Sequence, residues 1–209
     1  MPIQIDERAS IERVFDDLGP FTLFDVGAAE GEYTEVVRAR GGFKEAHLFE
    51  PRSDGAAALR ERYKEDQDVI VNSLALADFT GMAALMLSDN PHWSHLRGLF
   101  EGERSEPVQV TTLDAYLADI DLIAPIFLKI DTEGFEMSVM RGAVESIKAG
   151  LIPAIQFEYG GTWGAWGGLK DAAELLEGFT ILELRDGRLQ EILSTVDDFK
   201  YRNYLALRT

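Results

Sequence analysis

Short runs rich in β-branched and aromatic residues alternate along this chain with stretches whose apolar positions follow a helical period. That alternation predicts a parallel sheet joined by crossover helices. Ser10 can cap a first helix through Leu18, stopped by Gly19 and Pro20, and Phe21 to Val26 reads as the first buried strand. A helix over Glu32 to Arg40, a strand over Ala46 to Phe49, a helix capped by Ser53 and running to Tyr63, and a strand over Val69 to Leu74 follow. Ala83 to Leu87 and Val108 to Thr111 pair as an antiparallel excursion around a polar loop that holds His92 and His95. Thr112 opens a short helix through Leu117, Ile126 to Ile130 is a strand, Glu136 to Ala149 is one helix ended by Gly150, and Ala154 to Phe157 is a strand. After the loop YGGTWGAWGG come a helix from Asp171 to Leu176, a strand from Phe179 to Leu184, a turn at Asp186 and Gly187, and a closing strand near Tyr204 to Leu207.

The expected fold is α/β, with a seven-stranded, mostly parallel sheet and an antiparallel C-terminal edge. Residues 1–209 read as a single domain: an N-terminal helix within 1–20, a hairpin and loop inserted at 82–111 near the active site, and a lid at 159–170. No repeat, low-complexity tract or linker divides it.

Composition narrows the partners. The chain has 209 residues, with 37 Asp plus Glu against 20 Lys plus Arg, a net charge of −17. Such a surplus repels a phosphate backbone, so neither nucleic acid nor an anionic membrane is expected as a partner. The absence of cysteine excludes disulfides, thiolate metal sites and a cysteine nucleophile, and suits the reducing cytoplasm. MPIQIDERAS carries acids where a signal peptide needs a basic region, and reads as mature protein. The apolar run near Leu122 to Leu128 falls far short of the roughly 20 residues of a membrane span.

In open α/β sheets, ligands bind beyond the carboxyl ends of the strands. Here those ends are acidic: Asp25, Glu50, Asp131 and Glu158. Carboxylates at buried strand ends require a cation or hydrogen-bond donors, so the pattern predicts a donor-rich ligand. The turn DVGAAEG places Gly27 and Gly31 ahead of a helix, but Ala29 stands where a dinucleotide fingerprint has its middle glycine. Such a turn suits a carboxylate better than a pyrophosphate. Glu50, before Pro51, has the spacing from Gly27 of an acid that accepts hydrogen bonds from a ribose diol. An adenosine ligand without phosphates follows, and S-adenosylmethionine fits, its ammonium and sulfonium favouring an acidic pocket.

FDVGAAEGEYT, HLFEP, ALAD, TTLDAYL and above all FLKIDTEGFEMSVMRGA resemble the FkbM-type methyltransferases, over roughly residues 20 to 160. The resemblance implies a Rossmann-like class I methyltransferase fold and an S-adenosylmethionine-dependent enzyme, in a family that largely methylates oxygen. It implies that Asp25, Gly27, Ala28, Gly31 and Thr34 surround the methionine part, Glu50 with Pro51 the ribose, and Ala75 and Leu76 the adenine, while Asp131 faces methyl transfer. The family commonly has Asn at the position of Ala29, so a side-chain hydrogen bond is missing here.

Each candidate also has a plainer reading. Asp25 can be a turn residue, Asp131, Glu133 and Glu136 a solvated helix start, His92 a surface residue and His47 structural. Methylating a hydroxyl calls for a base, and His95, Asp131 and Glu158 are the candidates. Asp131 and Glu158 on neighbouring strands, with a histidine, could hold a divalent ion such as Mg²⁺, although a metal is not the favoured reading. Trp93, Tyr159 and Trp163, with Trp166, flank the expected active face, where rings could stack on a small hydroxylated substrate or simply pack. An NAD-dependent oxidoreductase would also use Glu50, and a nucleotide-binding module without catalysis would keep the same pocket.

Overall fold

The computed structural model describes residues 5–87, 95–97, 105–160, 167–192 and 200–209. Its elements are α1 (Ile5–Leu18), β1 (Thr22–Val26), α2 (Glu32–Arg40), β2 (Glu45–Phe49), α3 (Ser53–Arg62), β3 (Val69–Asn72), β4 (Ala75–Leu76), β5 (Gly81–Met86), β6 (His95–Arg97) and β7 (Ser105–Thr111). They continue with α4 (Leu113–Leu117), β8 (Ile126–Ile130), α5 (Glu136–Arg141), α6 (Val144–Lys148), β9 (Ala154–Tyr159), α7 (Leu169–Leu175), β10 (Phe179–Arg185), β11 (Arg188–Glu191) and β12 (Arg202–Arg208).

The main sheet runs β11-β10-β12-β9-β8-β1-β2-β3, and a smaller one runs β4-β7-β5-β6. Strands β3, β2, β1, β8 and β9 are parallel, and β12 is antiparallel to both β9 and β10. The main sheet thus has eight strands rather than seven. The extra one, β11, folds back on β10 through the two-residue turn Asp186–Gly187. Its sequence, RLQE, carries a single apolar residue, too weak an alternation to read as a strand.

Both faces of the parallel strands β1, β2, β8 and β9 are largely buried, as crossover helices require, whereas the edge strand β3 is only half-buried. Phe24, Leu128, Ile155 and Phe157 pack under α4 to α7 with Leu113, Met140 and Ile147. On the opposite face Leu23, Leu48 and Phe127 pack with Ile11 and Val14 of α1, Val37 of α2 and Leu59 of α3. No described helix is long and apolar enough to cross a membrane.

Three helix readings change. Ser53 is the first residue of α3 rather than its cap, and its hydroxyl donates to Glu106 Oε2 (2.9 Å). The first helix begins at Ile5, so Ser10 is no cap; it is fully buried and donates its hydroxyl to Gln156 Oε1 on β9. The expected helix from Glu136 to Ala149 is broken into α5 and α6. At the break a Cβ on Gly142 would lie 2.0 Å from the Ala77 carbonyl oxygen. The N-terminus of α6 is capped from α4: Asp114 accepts from the Glu145 amide (3.0 Å) and from the Ser146 amide (2.9 Å) and hydroxyl (2.6 Å).

Candidate active site

Asp25, Lys129 and Gln156 are register partners across β1, β8 and β9. Side chains alternate along a strand, so these three share one face, and residues two positions on, Gly27, Asp131 and Glu158, form the next row at the carboxyl rim. A buried polar floor therefore lies beneath an acidic rim.

The floor is held together internally. Asp25 is fully buried; its Oδ2 accepts from the Thr34 hydroxyl (2.8 Å), and its Oδ1 lies 3.2 Å from Lys129 Nζ. Lys129, also buried, reaches Asp131 Oδ2 (3.6 Å) and the Gly27 carbonyl (3.4 Å), and lies 5.4 Å from the centre of the Tyr33 ring. Tyr33 donates to Gln156 Oε1 (2.9 Å). The sequence reading assigned compensation of Asp25 to a ligand, whereas Lys129 supplies it from the chain. Asp25 and Thr34, expected around the methionine part, bond to one another, and Lys129 joins Asp25 to the Gly27 carbonyl of the glycine turn.

That turn admits no side chain at Gly27. Its φ is 78°, and a Cβ would stand 1.9 Å from the Asp131 carbonyl oxygen. Gly27→Ala should destabilise the fold by at least about 2 kcal/mol, from left-handed strain plus the clash with β8's end. Denaturant unfolding checks this; an unaltered transition would show that the turn and β8 separate freely. Gly31 precedes α2, whose N-terminus has no side-chain cap.

Glu50, at the end of β2, is 6% exposed. Its Oε2 accepts from the Ala29 amide (2.9 Å) and its Oε1 from the Arg52 amide (2.9 Å). Burial raises its pKa, against the pull of those two amides. Its own amide donates to the Asn72 carbonyl (3.0 Å), tying β2's end to β3's. Ala28, Ala75 and Leu76 are buried, the last two on β4, while Pro51 is half-buried.

At the rim, Asp131, Glu133 and Glu158 each offer a carboxylate oxygen within 4.8 Å of the others. Burial, reinforced by Asp131 and by neighbouring carboxylates, raises the pKa of Glu158 to about 8 and that of Glu133 to about 7, with Lys129 opposing both shifts. Glu136, read from sequence as a solvated helix start, is buried and closes the loop after β8. It accepts from the Thr132 amide (2.8 Å) and hydroxyl (3.0 Å) and from the Gly134 amide (3.1 Å). The cluster can hold protons, or a hard cation through oxygen.

Other candidates are placed differently. Tyr159, expected to face substrate, is fully buried in the core with its ring 6.1 Å from that of Tyr204. It alternates with Glu158, so the residue that puts Glu158 at the rim turns Tyr159 inward. His95 opens β6 opposite Met86 of β5; its side chain, and Trp93, Trp163, His92, Trp166 and most of the expected lid, lie outside the described residues. His47 is structural: its Nδ1 lies 2.7 Å from the Tyr116 hydroxyl and its Nε2 2.6 Å from Glu45, and burial lowers its pKa.

The ends of β1 and β2 carry groups that suit S-adenosylmethionine. Glu50 offers acceptors for a ribose diol, and the uncapped start of α2 offers amides for a carboxylate. Near Glu50, Asn72 Nδ2 is buried without a hydrogen-bond partner among the described residues, a donor that suits a nucleoside acceptor atom.

No curated protein matches the sequence. Among solved structures, the chain is similar to methyltransferase FkbM from Methylobacillus flagellatus KT, with a TM-score of 0.58 at 17% identity, covering 89% of this chain and 43% of that one. It is also similar to an rRNA methylase from Streptococcus thermophilus, with a TM-score of 0.51 at 12% identity, covering 100% of this chain and 96% of that one. This chain therefore spans less than half the length of the FkbM neighbour, and both likenesses concern the fold. The family model of the methyltransferase FkbM domain matches residues 25–202, from the buried acid of β1 to the first residue of β12. With the glycine turn, Glu50 and the acidic rim all inside that span, the chain belongs to the methyltransferase FkbM family.

Proposed function

We propose that this chain is an S-adenosylmethionine-dependent methyltransferase that acts on a hydroxyl of a small molecule, a sugar or a biosynthetic intermediate. The observation that carries the reading is the rim cluster of Asp131, Glu133 and Glu158, in which burial and neighbouring carboxylates raise the pKa of Glu133 to about 7 and that of Glu158 to about 8. An aliphatic hydroxyl is a weak nucleophile until a positioned group takes its proton, and a carboxylate with a pKa near the working pH does so best. Glu158 takes the proton, Asp131 and Glu133 orient the hydroxyl, and Lys129 keeps the cluster partly ionised. Gly27, Gly31, Glu50 and Pro51, with Ala28, Ala75 and Leu76 behind them, hold the cofactor. S-adenosylmethionine supplies an electrophilic methyl for in-line displacement and leaves as S-adenosylhomocysteine.

The net charge of −17 favours a small acceptor over RNA, although a similar fold is found in an rRNA methylase. Residues 1–209 work as one catalytic unit, and the cysteine-free chain suits the cytoplasm. The cluster acts as proton acceptor without a metal.

The test offers radiolabelled S-adenosylmethionine with a panel of hydroxylated metabolites and, separately, ribosomal RNA. Label is expected in a metabolite, and label confined to RNA overturns the reading. With the accepted metabolite, kcat/KM should rise about tenfold per pH unit below the base's pKa and level off above about pH 8. Chelation should leave that rate unchanged; a loss reversed by Mg²⁺ would make the cluster a metal site.

A further inference from the structure

Arg52 follows the Glu50–Pro51 pair, and its side chain is 17% exposed. One edge of its guanidinium is fixed by the exposed Asp54, with Nε donating to Oδ1 (3.0 Å) and Nη2 to Oδ2 (2.7 Å). The remaining nitrogen, Nη1, is buried and has no hydrogen-bond partner among the described residues. Glu50 and Glu106 both act on this guanidinium, and neither takes that donor. Glu106 has both oxygens on Ser53, at 2.9 Å from its amide and 2.9 Å from its hydroxyl. Glu50 is engaged by the Ala29 and Arg52 amides.

A buried donor left unsatisfied is costly, and a guanidinium fork fixed on one edge is already oriented for an acceptor on the other. Asn72 Nδ2 is unsatisfied in the same way and belongs to the residue whose carbonyl binds the Glu50 amide. The acceptor carboxylate of Glu50 therefore stands two residues along the chain from a buried guanidinium donor in want of an acceptor, while the Asn72 side chain is held by the Tyr116 hydroxyl (3.2 Å). A nucleoside meets both demands: its diol donates, and its ring nitrogens and ribose oxygens accept.

We infer that Arg52 is a further cofactor-binding residue, donating through Nη1 to an acceptor atom of the nucleoside half of S-adenosylmethionine. The inference rests on the cofactor reading above, and two ligands separate the two. Calorimetric titrations use S-adenosylhomocysteine, which carries both halves, and 5′-methylthioadenosine, which lacks the amino acid. Arg52→Met should weaken both ligands by roughly ten- to hundredfold, the range of a lost charged hydrogen bond, and Arg52→Lys should fall between Met and wild type. Thermal melts without ligand should stay close to wild type. If Arg52→Met does not fold, Arg52→Lys decides by the same titrations. Unchanged affinities in a folded variant, or a loss confined to S-adenosylhomocysteine, overturn the assignment. Wild-type protein that binds neither ligand overturns the cofactor reading and this inference together.

Discussion

Replacing Lys129 by methionine is expected to destabilise the protein by about 3 to 5 kcal/mol, because the change leaves the Asp25 carboxylate buried without its cation. Asp25 has no exposure to water, and Thr34 alone would remain to stabilise it. The same ammonium joins the Gly27 carbonyl to Asp131, so the loss should also loosen the ends of β1 and β8, where the crevice opens. Combining Lys129→Met with Asp25→Asn removes the orphaned charge and should recover most of the stability, since a buried pair replaced at both ends often costs little. Denaturant unfolding of the wild type, both single variants and the double variant forms a closed cycle. Simple additivity, with the double variant at the sum of the singles, would show that the two side chains do not depend on one another.

Glu158→Gln should lower methyl transfer by roughly 10² to 10⁴-fold, the usual contribution of a general base, while leaving S-adenosylhomocysteine affinity unchanged. Its effect on stability should be of opposite sign. The pKa of Glu158 in the fold is about 8, above its ordinary value of 4.5, because burial and neighbouring carboxylates penalise the charge. A carboxyl raised in this way contributes stability that is complete below about pH 4.5 and is lost as pH rises through about 8. Glutamine keeps the shape without ionising. The variant should therefore melt close to wild type near pH 5 and higher than wild type at pH 8.5, each kcal/mol being worth roughly 2–4 °C in a chain of this size. A variant that melts lower at pH 8.5, or that retains wild-type turnover, would remove Glu158 from the base position.

The parts of the fold legible in sequence are those whose signal is local. Strand β8, Ile126–Ile130, and helix α2, Glu32–Arg40, stand where their patterning put them, and the Thr112 cap is found, its hydroxyl accepting from the Ala115 amide at 3.0 Å. What escaped depends on distant partners. The break between α5 and α6 is decided by the Ala77 carbonyl and by Asp114, roughly thirty residues before the helix it caps. Ser10 looks like a cap because Ser caps helices, but its hydroxyl is used by Gln156, 146 residues away.

The candidate site divides along the same line. Glu50, Asp131 and Glu158 could be found because acids at strand ends are unusual and α/β sheets bind ligands there. Lys129 could have been found by the same logic, since a lysine inside the apolar strand IFLKI requires a buried partner. Asp25 sits at the matching register position. Glu136 was not recognisable, because an acid at a helix start is ordinarily solvated, and only the compact loop of Thr132 and Gly134 makes it an internal brace. Tyr159 lies in the core, the plainer of its two sequence readings, because alternation along β9 sends it away from the face that carries Glu158.

The central claim is that the crevice beyond β1 and β2 receives an adenosine whose ribose rests on Glu50 and whose amino acid meets the glycine turn. A crystal structure of the protein with S-adenosylhomocysteine tests it most directly. The account predicts the ribose diol on the Glu50 carboxylate and the amino-acid carboxylate at the start of α2, with Gly27 beneath it. A crevice filled by the protein's own side chains, or one that takes a diphosphate coenzyme in place of S-adenosylhomocysteine, would contradict it.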